Sequence, residues 1–169
     1  MNVVGIVERS DWQGESWTQA GSADELLRDF AGWHADVQTL MRAIAQPFKW
    51  ALLGRTPRTG WAQGRVCLLG DAAHPTLPFL AQGANMALED AAELGRCLAP
   101  VQDLQLALPA ALGRYAVQRW QRVAQVQARS RRNGQVFHAT GLQRLGRDLG
   151  LGLLGRRLMD LPWLYGHKA

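Results

Sequence analysis

The alternation of apolar and polar positions predicts an α/β chain, α+β by content, that is rich in helix after residue 84. Residues 1–8 are apolar and largely β-branched, which favours a buried strand. Ser22 and Glu25 stand three residues apart and form a capping-box pair, so a helix is expected to begin at this point. Its buried face would be formed by Leu26, Leu27 and Phe30.

A second helix is predicted by apolar residues that repeat at helical spacing before Pro47. These residues are Val37, Leu40, Met41 and Ile44. Residues 48–53 favour another strand, and residues 55–60 form a loop because of their proline and glycine content. Residues 65–69 are a short continuous apolar run that is typical of a strand.

Two longer helices are predicted in the second half of the chain. The first begins at about Ala84 and carries a stripe of mainly small residues: Ala84, Leu88, Ala91, Gly95 and Leu98. Small side chains would let this helix lie close to whatever it covers. The second helix extends over about residues 107–132 and separates an apolar from a polar face. The apolar face holds Leu108, Leu112, Tyr115, Ala116, Val123 and Val126, and the polar face Arg114, Gln118, Gln121, Gln125 and Arg129. Residues 142–165, rich in Leu and Arg, predict short helices.

Composition places the chain among ordinary globular proteins. It has 169 residues, of which 47% are hydrophobic and 20% charged. No apolar run reaches the roughly 18 residues of a membrane span, and residues 1–12 lack the layout of a secretory signal. We therefore expect a soluble, cytoplasmic protein without membrane contact. Cys67 and Cys97 have no Cys or His neighbour at zinc-binding spacing, so we expect no metal site and interpret both as small buried residues.

Positive charge is concentrated towards the end of the chain. The formal net charge is +5, but residues 110–169 contain eleven basic side chains and only Asp148 and Asp160 as acids, a net of +9. Such a region has the electrostatics to bind nucleic acid or an anionic membrane. A solvated helix face is the favoured interpretation, because the arginines follow an amphipathic repeat and are not interleaved with exposed aromatic residues.

The segment between the strand at residues 65–69 and the helix at Ala84 has the make-up of a ligand crevice. In α/β proteins ligands bind beyond the carboxyl ends of strands, where a glycine such as Gly70 allows close approach and the next helix presents unpaired amides. Asp71 can accept hydrogen bonds from hydroxyls of a sugar-like chain, and the amides of Gly83, Ala84 and Asn85 can stabilise negative charge. Taken alone, an Asp after a strand is more commonly a turn or cap residue.

The combination of these residues resembles a known family. Residues 64–75 read GRVCLLGDAAHP and residues 78–91 read PFLAQGANMALEDA. Together they are similar to the second flavin-binding motif of single-component FAD-dependent aromatic monooxygenases, in particular the salicylate hydroxylase and hydroxybenzoate hydroxylase-like enzymes. Shorter similarities at residues 15–17, 30–34, 50–52, 55–57, 133–138 and 163–165 extend the resemblance over nearly the whole chain.

The resemblance implies a role for each residue of the loop. Asp71 would bind the ribityl chain of FAD, Gly83, Ala84 and Asn85 would lie beside the flavin pyrimidine edge, and the main chain of Pro78 would face the substrate hydroxyl. Gly70, Pro78, Gln82 and Met86 complete the implied cofactor-binding set, while no catalytic residue is assigned. His74 is interpreted as loop architecture rather than as a catalytic group. Ala81 departs from the pattern, since many relatives carry Gly there. The exchange is expected to be tolerated unless the backbone angles of the turn require a positive φ.

The implied activity is hydroxylation of a phenolic or aromatic acid ring with FAD, NADH or NADPH, and oxygen. The implied organisation is the end of a substrate-binding sheet domain in residues 1–53, a flavin-contacting strand, loop and helix in residues 54–102, and a helical region in residues 103–169. The fold would be the carboxyl-terminal portion of the aromatic hydroxylase fold. A homodimer is left open.

One expected unit of that family is not found in the sequence. A strand, a Gly-x-Gly-x-x-Gly turn and a helix normally bind the adenosine diphosphate half of FAD. The textual match at residues 150–155 has no strand before it and no acidic residue about twenty positions later, so we reject it. Two hypotheses follow: a part of a hydroxylase that needs an amino-terminal half, held on the same or a separate polypeptide, or a non-catalytic remnant whose basic helices bind a partner such as nucleic acid.

Overall fold

The structure is a computed structural model that describes residues 2–12, 19–158 and 160–166. The chain divides into two compact units, residues 1–52 and residues 53–169. All residues of the predicted ligand crevice belong to the second unit. The similarity at residues 15–17 lies outside the described residues.

In its described residues, 2–12 and 19–52, the first unit contains two short helices and one pair of strands. Helix α1 spans Ala23–Asp29 and helix α2 spans Ala35–Arg42. Strands β1 (Gln19–Ala20) and β2 (Phe48–Lys49) pair antiparallel. The hydroxyl of Ser22 accepts a hydrogen bond from the Glu25 amide at 3.4 Å, which confirms the predicted helix start.

The predicted strand at the beginning of the chain does not form. Residues 2–9 are irregular and mainly exposed, and Gly5 lies under the ring of the buried Phe30. A strand needs a hydrogen-bonding neighbour along its edge, and in the described part of this unit β1 and β2 pair only with each other. For the same reason the strand predicted at residues 48–53 is reduced to the two residues of β2.

The second unit is built around two packed helices. Strands β3 (Ala62–Gln63) and β4 (Val66–Cys67) form a hairpin, followed by 3₁₀ turns at Gly70–Ala72 and Pro78–Leu80. Helix α3 spans Gly83–Leu98, and the 34-residue helix α4 spans Leu104–Phe137. Helix α5 (Gly141–Leu154), a 3₁₀ turn at Gly155–Leu158 and helix α6 (Pro162–Tyr165) end the described chain. The helix-rich second half is as predicted.

The hydrophobic core of this unit lies where α3, α4, α6 and the loop between β4 and α3 meet. Its buried members are Trp61, Leu80, Met86, Val123, Val126 and Leu164. Most of the predicted apolar face of α4 is buried, including Leu112 and Tyr115, whereas Gln118, Gln121 and Gln125 are exposed. The loop therefore rests directly on the core.

Helix α3 turns a different face inward from the one that the small residues suggested. Ala84, Ala91 and Gly95 are exposed, and Leu88 retains 70% of its accessible surface. The buried face instead carries Met86, Glu89, Asp90 and Cys97. Carboxylates tolerate this burial only when they are paired, and α4 supplies the partners. No helix in the described part of the chain is long and apolar enough to cross a membrane.

Candidate functional site

The first 3₁₀ turn brings Asp71 to the beginning of α3. Gly70 adopts a left-handed backbone with φ 56°, and a Cβ placed on it would lie 3.2 Å from the Cβ of Ala87. Glycine is therefore required for the turn to lie against α3. The exposed carboxylate of Asp71 then stands near Gly83, with Oδ1 3.9 Å from the position that a Cβ on Gly83 would occupy.

The amino-terminal end of α3 has no side-chain cap. Its N-cap residue, Gln82, makes no capping hydrogen bond, and its Oε1 instead accepts from Nδ2 of Asn85 at 3.1 Å. The amides of Gly83, Ala84 and Asn85 have no acceptor inside the helix, and the first turn contains no acidic residue. The positive end of the helix dipole is thus available to a negatively charged or electron-rich ligand beside Asp71.

The second 3₁₀ turn forms the other wall of the loop. Pro78 is exposed at its start, and Leu80 is buried in the core. Ala81, which follows, has φ 52° and ψ 37°, the left-handed conformation that favours glycine. The sequence-based concern about Ala81 is therefore confirmed: a non-glycine residue occupies a position that requires a positive φ.

A buried carboxylate holds the first turn in place. Asp90 is completely buried, and its Oδ2 accepts hydrogen bonds from the Gly70 amide at 2.9 Å and from Nε2 of His74 at 2.5 Å. Its Oδ1 accepts from Nε of Arg119 at 2.7 Å. His74 is only 2% exposed, so its position supports the interpretation as loop architecture. Asp90 connects the loop before α3 to helix α4.

A second carboxylate extends this buried cluster to the end of the chain. Arg122 donates through Nε and Nη2 to the two oxygens of Glu89, each at 2.7 Å, and Arg119 lies 2.9 Å from Glu89. Arg122 also donates to the carbonyls of Trp163 at 3.0 Å and Leu164 at 3.3 Å. Asn85 donates to Oε1 of Glu89 at 3.2 Å. The cluster therefore orients Asn85, one of the predicted cofactor residues.

Both buried carboxyls are held in the ionised form. Burial raises the pKa of Asp90, but hydrogen bonds from His74, Gly70 and Arg119 outweigh it, so the pKa lies below its ordinary value. Burial likewise raises the pKa of Glu89, and Arg122 and Arg119 more than compensate, which again lowers it. This cluster was not predicted from the sequence. Its signal was present as an acidic pair, Glu89 and Asp90, and a basic pair three residues apart on α4.

The predicted site residues are not all equivalent in the structure. Gly70, Asp71, Gln82, Gly83, Ala84 and Asn85 are gathered around the beginning of α3. Met86 lies in the same turn, but its side chain is fully buried and its amide already donates to the Gln82 carbonyl at 2.8 Å. Pro78 lies on the neighbouring turn. The described residues contain no cluster of His, Cys, Asp or Glu that could hold a metal ion.

This arrangement fits FAD. An exposed carboxylate suits the hydroxyls of a ribityl chain, and an uncapped helix beginning with the small residues Gly83 and Ala84 suits the electron-rich edge of a flavin ring. The Asp90 hydrogen bonds keep the turn that carries Asp71 against this helix. These residues would hold the flavin half of the cofactor.

Comparisons with known proteins lead to the same cofactor. A family model described as FAD binding domain matches residues 6–130. The chain is 40% identical to 3-amino-4-hydroxybenzoate 2-monooxygenase of Streptomyces platensis over 165 residues, which cover 97% of this chain and 41% of that protein. It is 39% identical to 3-hydroxybenzoate 6-hydroxylase of Polaromonas naphthalenivorans over 157 residues, which cover 91% of this chain and 38% of that protein.

A solved structure of a salicylate hydroxylase substrate complex has the same fold in the matched region. Its TM-score is 0.78 at 32% identity, over 96% of this chain and 40% of that one. The chain thus spans about two fifths of the length of these relatives. The match to the family model over residues 6–130, together with these identities, shows that the chain belongs to the FAD binding domain family of flavoprotein monooxygenases.

Proposed function

We propose that this chain forms the flavin-ring side of the FAD site, and the adjoining substrate-facing loop, of an aromatic monooxygenase. The reaction would hydroxylate a phenolic or aromatic acid ring with NADH or NADPH and oxygen. The observation that carries the proposal is the position of the Asp71 carboxylate beside the uncapped beginning of α3. The relatives named above, which act on hydroxybenzoates, support the substrate class.

Each residue of the site would have a physical task. When bound, FAD supplies the redox chemistry that activates oxygen. Asp71 would bind the ribityl hydroxyls, and the amides of Gly83, Ala84 and Asn85 would stabilise negative charge on the flavin ring. The main chain of Pro78, a residue that is exposed, would meet the hydroxyl group of the aromatic substrate.

The adenosine half of FAD needs a second binding element. The matched relatives are more than twice as long as this chain, and its sequence contains no strand, Gly-x-Gly-x-x-Gly turn and helix in that order. Residues 150–155, the textual match, lie within α5 and the 3₁₀ turn that follows it, which excludes a strand-turn-helix unit at that point. We therefore propose that another segment or polypeptide supplies the adenosine site.

Flavin titration tests this proposal. The chain alone is expected to bind FAD weakly and to lose it on purification, because half of the nucleotide contacts are missing. Flavin fluorescence would follow the binding of FAD and of FMN, which has no adenosine, and similar weak affinities for both are expected. Purification with stoichiometric FAD would contradict the proposed division of the site.

A substitution at Asp71 identifies the binding surface. Asp71→Asn is expected to weaken flavin binding about tenfold, since a hydrogen bond to a charged group contributes about 1.5 to 3 kcal/mol. Asp160→Asn removes an equally negative, exposed side chain far along the sequence and is the matched control. Equal flavin affinities for the two variants would remove Asp71 from the site.

The arginines that suggested a nucleic-acid-binding remnant divide into two groups in the structure. Arg119 is buried and Arg122 partly buried in the carboxylate cluster, whereas Arg131, Arg132 and Arg144 are exposed. DNA binding with a steep salt dependence would revive this alternative.

A further inference from the structure

Three polar side chains of α4 form a regular ladder with the loop that contains Pro78. Gln127 donates to the Pro75 carbonyl at 3.0 Å, and Ser130 donates to the Leu77 carbonyl at 2.5 Å. Asn133 donates to the Phe79 carbonyl at 3.2 Å. The donors are three residues apart on the helix, so they share one face, and the acceptors are every second residue of the loop.

The ladder holds the loop over residues 75–79 against α4 through the loop carbonyls. Pro75 and Pro78 have no amide hydrogen, so the segment cannot be fixed through those positions by ordinary main-chain pairing. Its carbonyls remain available, and buried side chains satisfy them: Ser130 is fully buried and Gln127 is 5% exposed. A buried carbonyl without a partner is costly, which makes the loop position depend on these donors.

The far end of the loop is clamped against the same helix. A Cβ on Gly134 would lie 2.6 Å from the Phe79 ring, so only glycine lets this ring pack directly on α4. The Phe79 ring also meets Phe137 and His138 edge-on, with centroid separations of 6.0 and 5.7 Å. Pro78 therefore stands between two fixed carbonyls, those of Leu77 and Phe79.

We propose that Gln127, Ser130 and Asn133 are positioning residues that fix the loop over residues 75–79. They set the position of the Pro78 main chain, and their effect on substrate rests on the proposed function, in which Pro78 faces the aromatic hydroxyl. Ser130 and Asn133 matter most, because they hold the carbonyls on either side of Pro78.

Amide hydrogen exchange measured by mass spectrometry tests the ladder on the full chain. Ser130→Ala and Asn133→Ala are expected to speed exchange in peptides covering residues 76–82 by about fivefold or more, the effect of one lost buried hydrogen bond. Exchange that occurs by local opening within α3 would change much less, and the denaturation midpoint would fall only by as much as one lost hydrogen bond explains. Gln135→Ala, an exposed amide on the same helix, is the control and is expected to leave the loop unchanged.

Unchanged exchange at residues 76–82 in both variants would overturn the proposal, as would a uniform increase over the whole unit. Steady-state kinetics separate a failure of the ladder from a failure of the proposed function. In a preparation that turns over, the two variants are expected to raise the KM for the aromatic substrate severalfold with little change in kcat or FAD affinity. Faster loop exchange with an unchanged KM would support the ladder but contradict the proposal that Pro78 contacts the substrate.

Discussion

His74 and Asp90 form a buried pair, with Nε2 of His74 2.5 Å from Oδ2 of Asp90 and both side chains at most 2% exposed. The same carboxylate oxygen accepts the amide of Gly70. One residue of α3 thus fixes both ends of the turn that carries Asp71, and Arg119 of α4 neutralises its charge. The surface proposed to face the flavin is exposed, and its shape depends on the buried ionic cluster beneath it.

Loss of the Asp90 charge is expected to destabilise the chain strongly. Asp90→Asn removes the charge that pairs with His74 and Arg119 and leaves Arg119 paired with Glu89, which is expected to cost about 3 kcal/mol, the lower end for a broken buried pair. Urea denaturation followed by tryptophan fluorescence would measure the change. Asp148→Asn, which alters an exposed pair on α5, is the control, with an expected change of less than about 1 kcal/mol. A similar small change for Asp90→Asn would show that the cluster contributes little to stability.

The same cluster predicts a loss of stability in acid. The pKa values of Asp90 and Glu89 are lower in the folded chain than in the unfolded one, so the unfolded state binds protons first as the pH falls. This contribution is complete above the ordinary carboxyl pKa of about 4 and is lost as the pH falls through the folded values. Denaturation midpoints measured from pH 7 to pH 3 would show it. Asp90→Asn is expected to have the shallower pH dependence, and parallel curves would contradict this explanation.

Backbone strain at Ala81 predicts a stabilising substitution. Ala81→Gly removes the side chain from a left-handed position and is expected to raise the free energy of unfolding by up to about 1 kcal/mol. The same exchange at Ala91, exposed within α3, is expected to lower it by about 0.5 to 1 kcal/mol, because glycine weakens a helix interior. Thermal denaturation would compare the two. Equal signs at the two positions would exclude strain at Ala81.

Gly70 is expected to tolerate no side chain. Gly70→Ala combines a positive φ with a contact of 3.2 Å to Ala87, and a loss of about 1 to 3 kcal/mol is expected. Adding Ala87→Gly removes the close contact but not the cost of the left-handed backbone at residue 70. The double variant would therefore recover only part of the lost free energy of unfolding. Gly146→Ala, in an open position of α5, is expected to be neutral or stabilising. Full recovery in the double variant would mean that the left-handed backbone carries no cost.

Local patterns predicted several helices in both units correctly. The Ser22 cap in the first unit, and the apolar face of α4 and the helix that begins near Ala84 in the second, depend on neighbours a few residues away, which the spacing of residue types indicates directly. The strand predicted at residues 1–8 failed because a strand depends on a distant partner, which an apolar run does not specify. The prediction that the small residues of α3 form its buried face was also wrong, because the paired carboxylates Glu89 and Asp90 are buried instead.

The family could be recognised from the sequence, through the motif from Gly70 to Asn85, and the residues proposed to face the flavin were predicted on one turn and one helix start. How that turn is held depends on contacts that form only in the folded chain. Asp90 and Arg119 are 29 residues apart, and Ser130 and Leu77 are 53 apart. From the sequence alone, Arg119 is interpreted as a solvated charge on a helix face, because its partner Asp90 is distant in the sequence. A buried polar group needs a partner, and folding brings that partner from a distant part of the chain. The spacing of residues along the sequence therefore does not indicate which two groups will pair.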